Sequence, residues 1–569
     1  MRCSSARNGI QLILRGAAKL YHHWQSLQVS YRGNKYSIER LLALDEYMEK
    51  TSALRVAFVV CGTLIPMVIL VISQELIPLN DPRKGWRVNY GFWARVGILS
   101  GVVSMAIVNQ AKVIIRSTVF RLRQSVLLFG CQALTYPVAS MGIAACVGFP
   151  IPFFALSTIP VFFLLLLVWF SLIAGTQCIR DILHHPKELT TFALYICTQM
   201  LMPVVYPIYE VIFYAAANTR YEFPVILLLS IIKIVMKYII SLALTGMEDM
   251  MPKAVTFSVD FFHAVYLATC VQRTRSTTTI VIVIAVDVAQ SALMLYGLHK
   301  RSRTMSARAR TAAGVCDNNG SLVTALRIIC TSSKRLENQH LGGIRMRSCL
   351  PYRLSRTSME CINNLERVQQ RRISRMALKR RALISRAIAR IYWWHRRTSI
   401  RPIETAVISP IEDQSIEMKY PRQNSAVNRR SNVLKEGLET LFTSECLVLV
   451  GYLHTSIAMF YANFVVMMIY LPSARYHSEL LGLTPENVGE TVKSVFIFGY
   501  LEFLSFALLA LMLYRRYGLQ AFYHLAFVLE TQVVRIQGKV IMWMLLILAF
   551  RVDHFGKLFI LSNGMSPTI

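Results

Sequence analysis

Long stretches with few or no charged residues recur along the chain and predict helices that cross a membrane. A spanning helix needs about 20 mostly apolar residues, since each residue adds 1.5 Å across a hydrocarbon core of about 30 Å. Eight such stretches precede residue 300, and two or three follow residue 440. They lie at 56–74, 90–110, 124–179 (two helices that turn at 148–152), 189–209, 223–247, 254–272, 276–298, 446–474 and 494–514, with a short last one near 540–550. We expect this last stretch to belong to one long helix that begins near Gln520.

The segment between the two apolar blocks, residues 300–440, contains no run long enough to span. It holds 29 Lys and Arg against 10 Asp and Glu, a net charge of +19. The sequence therefore predicts an all-α integral membrane protein, a polytopic bundle of about 10–11 transmembrane helices with a long basic cytosolic loop. Its regions are a basic N-terminal part (1–55), an eight-helix bundle (56–299), the basic and partly disordered loop (300–440) and the C-terminal helices (441–569).

The amino-acid composition supports this class of protein and helps to interpret the high net positive charge. The chain is 54% hydrophobic and 16% charged, whereas a soluble domain carries about 25% charged residues. Of the net charge of +31, residues 300–440 contribute +19 and residues 1–55 contribute +5 (9 basic, 4 acidic). The positive-inside rule places both regions in the cytosol. The excess charge is therefore interpreted as an orientation signal and not as a nucleic-acid interface.

Recognisable catalytic motifs are missing from the sequence. The 12 cysteines form no CxxC pair, which is typical of reduced structural thiols. There is also no Walker A loop, no GxGxxG after a strand, no HExxH and no GxSxG. The sequence therefore predicts no enzyme activity, no cofactor and no metal ion.

Ionisable residues inside the predicted spans are the candidate functional residues. Each costs about 2.5–3.5 kcal/mol in mid-membrane and so needs a partner or water. Lys233 and Lys237 share a helix face, as do Asp260 and His263, whose spacing alone is weak evidence for a metal. The set either surrounds a polar cavity, as in transporters and channels, or forms ion pairs that only lock the helices together. The candidate intramembrane polar site comprises Lys233, Lys237, Asp260, His263, Asp287 and Glu502.

The densest part of the basic segment, residues 367–401, has the pattern of a basic amphipathic helix. Apolar residues recur there at spacings of three and four between the arginines. Such a helix is typical of contact with anionic lipid headgroups, and a solvated loop or a protein-binding segment are the alternatives. The candidate lipid-contacting residues are Arg371, Arg372, Arg375, Lys379, Arg380, Arg381, Arg386, Arg390, Trp393 and Trp394.

Several stretches together resemble a known family. They are 37–47 (SIERLLALDEY), 78–93 (PLNDP, then GW and NYGFW), 260–266 (DFFHAVY) and 530–556, which includes Trp543 and His554-Phe555-Gly556. This pattern is similar to the uncharacterised multi-pass transmembrane protein family of oomycetes. The resemblance implies architecture and source but no activity. The family tends to continue His-Phe-Gly with Asp-Phe, whereas Lys557 follows here.

Two hypotheses for function follow from these patterns. The first is a transporter- or channel-like protein that uses the intramembrane charged residues. The second is a membrane-anchored scaffold or receptor-like protein whose basic loop binds anionic lipid or signalling partners. Both require the lipid bilayer, and neither requires nucleic acid. The sequence does not indicate which cellular membrane is involved.

Overall fold

The computed structural model describes residues 36–115, 120–151, 153–216, 219, 221–247, 249–274, 277–302, 305–314, 321–332, 335, 339, 343–350, 352–398 and 432–555. These residues form helices and no β-strand. The helices are α1 (Ile38–Lys50), α2 (Ala53–Gly62), α3 (Ile65–Glu75), α4 (Tyr90–Ile114), α5 (Leu122–Val147), α6 (Ile159–Leu183), α7 (Pro186–Met200), α8 (Met202–Ala216), α9 (Glu222–Ala243), α10 (Met251–Arg273), α11 (Thr277–Ser302), α12 (Met305–Ala313), α13 (Leu322–Thr331), α14 (Arg356–Thr398), α15 (Val433–Met468), α16 (Val488–Tyr517), α17 (Ala521–Thr531) and α18 (Val533–Arg551).

Eleven helical stretches in the described part of the chain are long and apolar enough to cross a membrane. Eight of them precede residue 300, with α2–α3 and α7–α8 each forming one stretch, and three follow residue 432. The peripheral helices expose large apolar side chains, such as Leu164, Leu167 and Leu172 on α6. A soluble protein rarely exposes so large an apolar surface to water. The all-helical class and the membrane environment predicted from the sequence are thus supported.

Helix α10 lies at the centre of the bundle and is entirely buried. It packs against α8, α9, α15, α16 and α18. One turn of it, Thr256–Asp260, is π-helical, with a non-helical ψ of 18° at Phe257, and such turns often occur at functional sites. Because protein surrounds this helix on every side, its charged residues must find partners on neighbouring helices and not in lipid.

The end of the chain differs from the prediction of one long helix from about Gln520. The helix breaks at Gln532 (φ −132°, ψ 27°), which separates α17 from α18. Just before the break, Glu530 accepts a hydrogen bond from Tyr47 Oη (2.7 Å) and pairs with Arg55. Helix α17 packs against α2 and α1, while α18 packs against α3 and α4. Because the two halves of the predicted helix pack against different partners, the chain forms two helices here instead of one.

Part of the basic segment is packed against the bundle and is not a free loop. Leu326 and Ile329 of α13 are fully buried, and a Cβ on Gly437 of α15 would approach Leu326 to 2.6 Å. The backbone N–H of Ile38 donates to the Arg345 carbonyl at 3.0 Å. The sequence interpretation missed this packing because α13 is shorter than a membrane span. Since α13 contacts α1, helix α1 and this part of the basic segment lie at the same end of the bundle.

Residues 367–398 of the predicted amphipathic helix lie within α14, and residues 399–401 lie outside the described part of the chain. Its side chains Leu383, Ile384 and Ile388 are exposed. Among the predicted lipid-contacting residues, four have exposed side chains: Arg371, Arg381, Arg386 and Arg390. The side chains of the other six lie outside what the structure describes: Arg372, Arg375, Lys379, Arg380, Trp393 and Trp394.

Candidate functional site

Two lysines of α9 face one aspartate of α10. Lys237 Nζ lies 2.6 Å from Asp260 Oδ1, and Lys233 Nζ lies 3.8 Å from the same oxygen. The lysines reach it together because residues four apart share a helix face. Asp260 is the last residue of the π-helical turn, and all three side chains are buried. The aspartate therefore serves as the counter-charge for both ammonium groups.

A second group lies where α11, α15 and α16 meet. His454 Nδ1 is 3.9 Å from Asp287 Oδ2 and 3.8 Å from Glu502 Oε2. One carboxyl oxygen of each residue lies within 4.8 Å of the other, and two carboxylates this close repel each other, which favours one shared proton. The sequence interpretation missed His454 because the run around it holds no Asp, Glu, Lys or Arg, whereas His263 was noticed through its spacing from Asp260. The available signal was a histidine in the middle of the apolar run 446–474.

His263 links the two groups. Its ring lies 5.8 Å from the His454 ring, and its Nδ1 is buried without a hydrogen-bond partner among the described residues. A cavity of about 10 Å³ is lined by His263, Asp287 and Ser230 together with apolar side chains. A space of this size holds about one water molecule or one small ion. The histidine nitrogen is therefore free to bind a ligand.

Together these residues form what we call the intramembrane cluster. All six residues of the predicted polar site converge in it, and the structure adds His454. With both histidines neutral, three carboxylates and two ammonium groups leave one negative charge. A buried charge of this kind calls for a proton or a cation. The intramembrane cluster comprises Lys233, Lys237, Asp260, His263, Asp287, His454 and Glu502.

The intramembrane cluster lies about halfway along its helices. Asp260 is the tenth of 23 residues in α10, Asp287 the eleventh of 26 in α11, and Glu502 the fifteenth of 30 in α16. In a bundle of spanning helices, such positions fall near the middle of the hydrocarbon core. Ionisable groups at that depth are expensive and usually functional.

A separate ion-pair group closes the end of the bundle that carries α1. The fully buried Arg40 of α1 forms a salt bridge with Glu445 of α15 and donates to the Asp249 carbonyl at 3.1 Å. His524 Nε2 of α17 lies 3.4 Å from Glu445 Oε2. Ser348 of the basic segment donates to Asp249 Oδ2 at 2.8 Å. This group joins five distant parts of the chain, so its evident role is to hold them together.

A third ion-pair group closes the opposite end of the bundle. Arg95 of α4 donates to Glu75 Oε2 at 2.7 Å, and His477 Nε2 lies 3.1 Å from the same oxygen. His477 Nδ1 is 3.8 Å from Glu479 Oε1, and Glu479 pairs with Arg551 of α18. All five side chains are buried. The group fixes the loop between α15 and α16 to the ends of three other helices.

The charges of this third group shift the pKa values of its loop residues. Burial lowers the pKa of His477, but the neighbouring carboxylates of Glu479 and Glu75 outweigh it and raise the pKa to about 9. Burial raises the pKa of Glu479, but Arg551 and His477 outweigh it and lower the pKa to about 2. Both side chains are therefore charged at neutral pH.

The chain was compared with known proteins. No family model matches it, and neither a curated protein nor a solved structure does. The function proposed below therefore depends on the geometry of the chain itself.

Proposed function

We propose that the protein conducts protons across its membrane by way of the intramembrane cluster. The observation that carries this proposal is the convergence of seven buried ionisable side chains from α9, α10, α11, α15 and α16 near mid-membrane. Chains of aspartate, glutamate and histidine in such positions serve as proton relays in pumps and transporters.

The residue types of the cluster favour proton transfer over a purely structural role. The two ion-pair groups at the ends of the bundle are built around arginines (Arg40, Arg95 and Arg551), which stay charged under all conditions. The intramembrane cluster has lysines in place of arginines, and these, like its histidines and carboxyl groups, can gain or lose a proton. Its carboxylates also outnumber its lysines, so one proton is already required for neutrality.

The proposed path begins with the neighbouring carboxyl groups of Asp287 and Glu502. His454 lies within 3.9 Å of both carboxyl groups, and His263 follows it at a ring distance of 5.8 Å. A water molecule in the adjoining cavity would connect His263 with Asp287. The Lys233 and Lys237 ammonium groups, held by Asp260, supply fixed positive charge beside this path.

The proposal predicts that Glu502→Gln lowers voltage-driven proton uptake into liposomes by about tenfold or more. The amide matches the shape of a protonated glutamate but cannot release a proton. Purified full-length protein is reconstituted, a potassium diffusion potential is imposed in metal-free buffer, and acidification is followed with an enclosed pH-sensitive dye.

Glu490→Gln is the matched control. Glu490 lies on the same helix and is exposed, and 12 residues of helix place it about 18 Å from Glu502. We expect wild-type uptake from this variant. If wild-type liposomes take up no more protons than those with Glu502→Gln, the intramembrane cluster does not conduct and the proposal is wrong.

A second candidate function is a membrane-bound scaffold whose α14 contacts anionic lipid. The specific observation in its favour is the exposure of Leu383, Ile384 and Ile388 next to exposed arginines on the same helix. In this proposal the α1 end of the bundle faces the cytosol, where the anionic lipids concentrate. The apolar side chains would enter the headgroup region and the arginines would bind phosphate.

Hydrogen exchange of full-length protein in nanodiscs tests this second candidate. Residues 356–398 should exchange more slowly with phosphatidylserine than with phosphatidylcholine alone. Changing Arg371, Arg381, Arg386 and Arg390 to Glu should abolish the difference, because each arginine contributes about 1 kcal/mol of surface binding. The exposed Arg83→Glu, far from α14 in the sequence, serves as the control and should leave it intact. Equal exchange in both lipids would rule out the scaffold function through α14.

A further inference from the structure

Three side chains of the intramembrane cluster have the geometry of a metal site. One ligand atom each from Asp287, His454 and Glu502 lies within 4.8 Å of the others, and all three residues are buried. The distances of 3.8 and 3.9 Å from His454 Nδ1 to the two carboxylate oxygens are too long for direct hydrogen bonds. An ion bound about 2.1 Å from each of two atoms can bridge a separation of up to about 4.2 Å, which covers both distances.

A second observation at the same place also indicates a ligand. The buried His263 Nδ1 has no hydrogen-bond partner in the described part of the chain. The cavity of about 10 Å³ lies between His263 and Asp287. It offers room for a water molecule or a fourth ligand beside the three. A site with three protein ligands and one open position is the arrangement that lets a bound ion exchange.

The ligand atoms select the class of ion. One imidazole nitrogen and two carboxylate oxygens suit Zn²⁺, Mn²⁺ or Fe²⁺. Calcium and magnesium prefer oxygen ligands throughout. From these contacts we propose that Asp287, His454 and Glu502 bind one divalent transition-metal ion. This inference rests on the proposed function and names a second ion that the same intramembrane cluster takes.

The surrounding charges determine how tightly such an ion binds. Besides the three ligands, the groups that face the site are Lys233, Lys237, Asp260 and His263. With both histidines neutral, these groups and the ligands carry a net charge of −1 when the site is empty and +1 with one divalent ion. The nearby Lys233 ammonium therefore weakens binding. A moderate affinity is what transport requires, because the ion must leave as well as enter.

Binding of metal ions to chelator-treated full-length protein in detergent tests the inference. Isothermal titration calorimetry with Zn²⁺ and electron paramagnetic resonance with Mn²⁺ should each show about one ion per chain. His454→Ala should weaken binding by about tenfold or more.

Two further variants show whether the metal ion binds at the proposed site or elsewhere on the protein. Glu502→Gln removes a carboxylate while it keeps the side-chain shape, so it tests the site if His454→Ala fails to fold. His185→Ala removes an exposed histidine and should leave the affinity unchanged, which controls for surface binding. Absence of binding by the wild type overturns the metal site. So does binding that persists in both His454→Ala and Glu502→Gln.

The metal site and the proton path can fail separately. Proton uptake in metal-free buffer without any metal binding would remove the metal site and leave the proposed function. Metal binding without proton uptake would remove the proposed proton movement and leave the site.

Discussion

Arg40→Met will lower the free energy of unfolding by about 3–5 kcal/mol, because it leaves buried carboxylates without their cation. Arg40 is fully buried between Glu445 and Asp249. Methionine fills a similar volume, so loss of packing contributes little to this effect. Since Arg40 joins α1 to α15, the variant should also loosen the packing of the N-terminal region on the bundle.

The measurement is SDS titration of the purified protein in mixed micelles, followed by circular dichroism. Arg55→Met is the matched control, because Arg55 forms the same kind of salt bridge with Glu530 but is 61% exposed. An exposed pair contributes about 0–1 kcal/mol. The double variant Arg40→Met/Glu445→Gln should recover part of the loss, because it removes one uncompensated charge. Equal losses for Arg40→Met and Arg55→Met would contradict the structural role of the buried pair.

The membrane-spanning helices could be predicted from the sequence because the bilayer imposes a strong local rule. A helix in lipid must be apolar over about 20 residues, whatever its neighbours are. This rule predicts nothing where contacts within the protein determine the structure. The break at Gln532 depends on Glu530 meeting Tyr47 and Arg55, whose positions are more than 470 residues away. Helix α13 is likewise too short for the rule, although it packs as tightly as any core element.

The sequence could predict most of the residues that form the candidate site, but it could not predict which of them pair with each other. The cost of intramembrane charge identified six of the residues, yet only packing shows that both lysines share Asp260. Asp287 and Glu502 instead come together beside His454. The ion-pair groups at the two ends were missed for another reason. Arg40 and His477 lie outside the apolar runs, where a charged residue gives no signal of burial.

Raising the pH from 6 to 9.5 will destabilise the protein by about 3 kcal/mol through His477. The pKa of His477 is about 9 in the folded protein, compared with about 6.5 in the unfolded chain. Because the folded value is the higher one, the stabilisation is fully present below pH 6.5 and is lost as the pH rises through about 9. Glu479, whose pKa is lowered to about 2, stays ionised over this whole range and does not contribute to the change.

The loss at high pH follows from the geometry of the group. Deprotonated His477 no longer compensates the buried Glu75 and Glu479, so Arg95 and Arg551 must balance these carboxylates alone. The same SDS titration at pH 6, 7, 8 and 9.5 measures the effect. His477→Gln should be less stable than the wild type at pH 6, and this difference should shrink by about 3 kcal/mol by pH 9.5, while the exposed His185→Gln should follow the wild type at every pH. A difference between the wild type and His477→Gln that stays constant from pH 6 to 9.5 would refute this account, because the two carboxylates that face the imidazole stabilise only its protonated form.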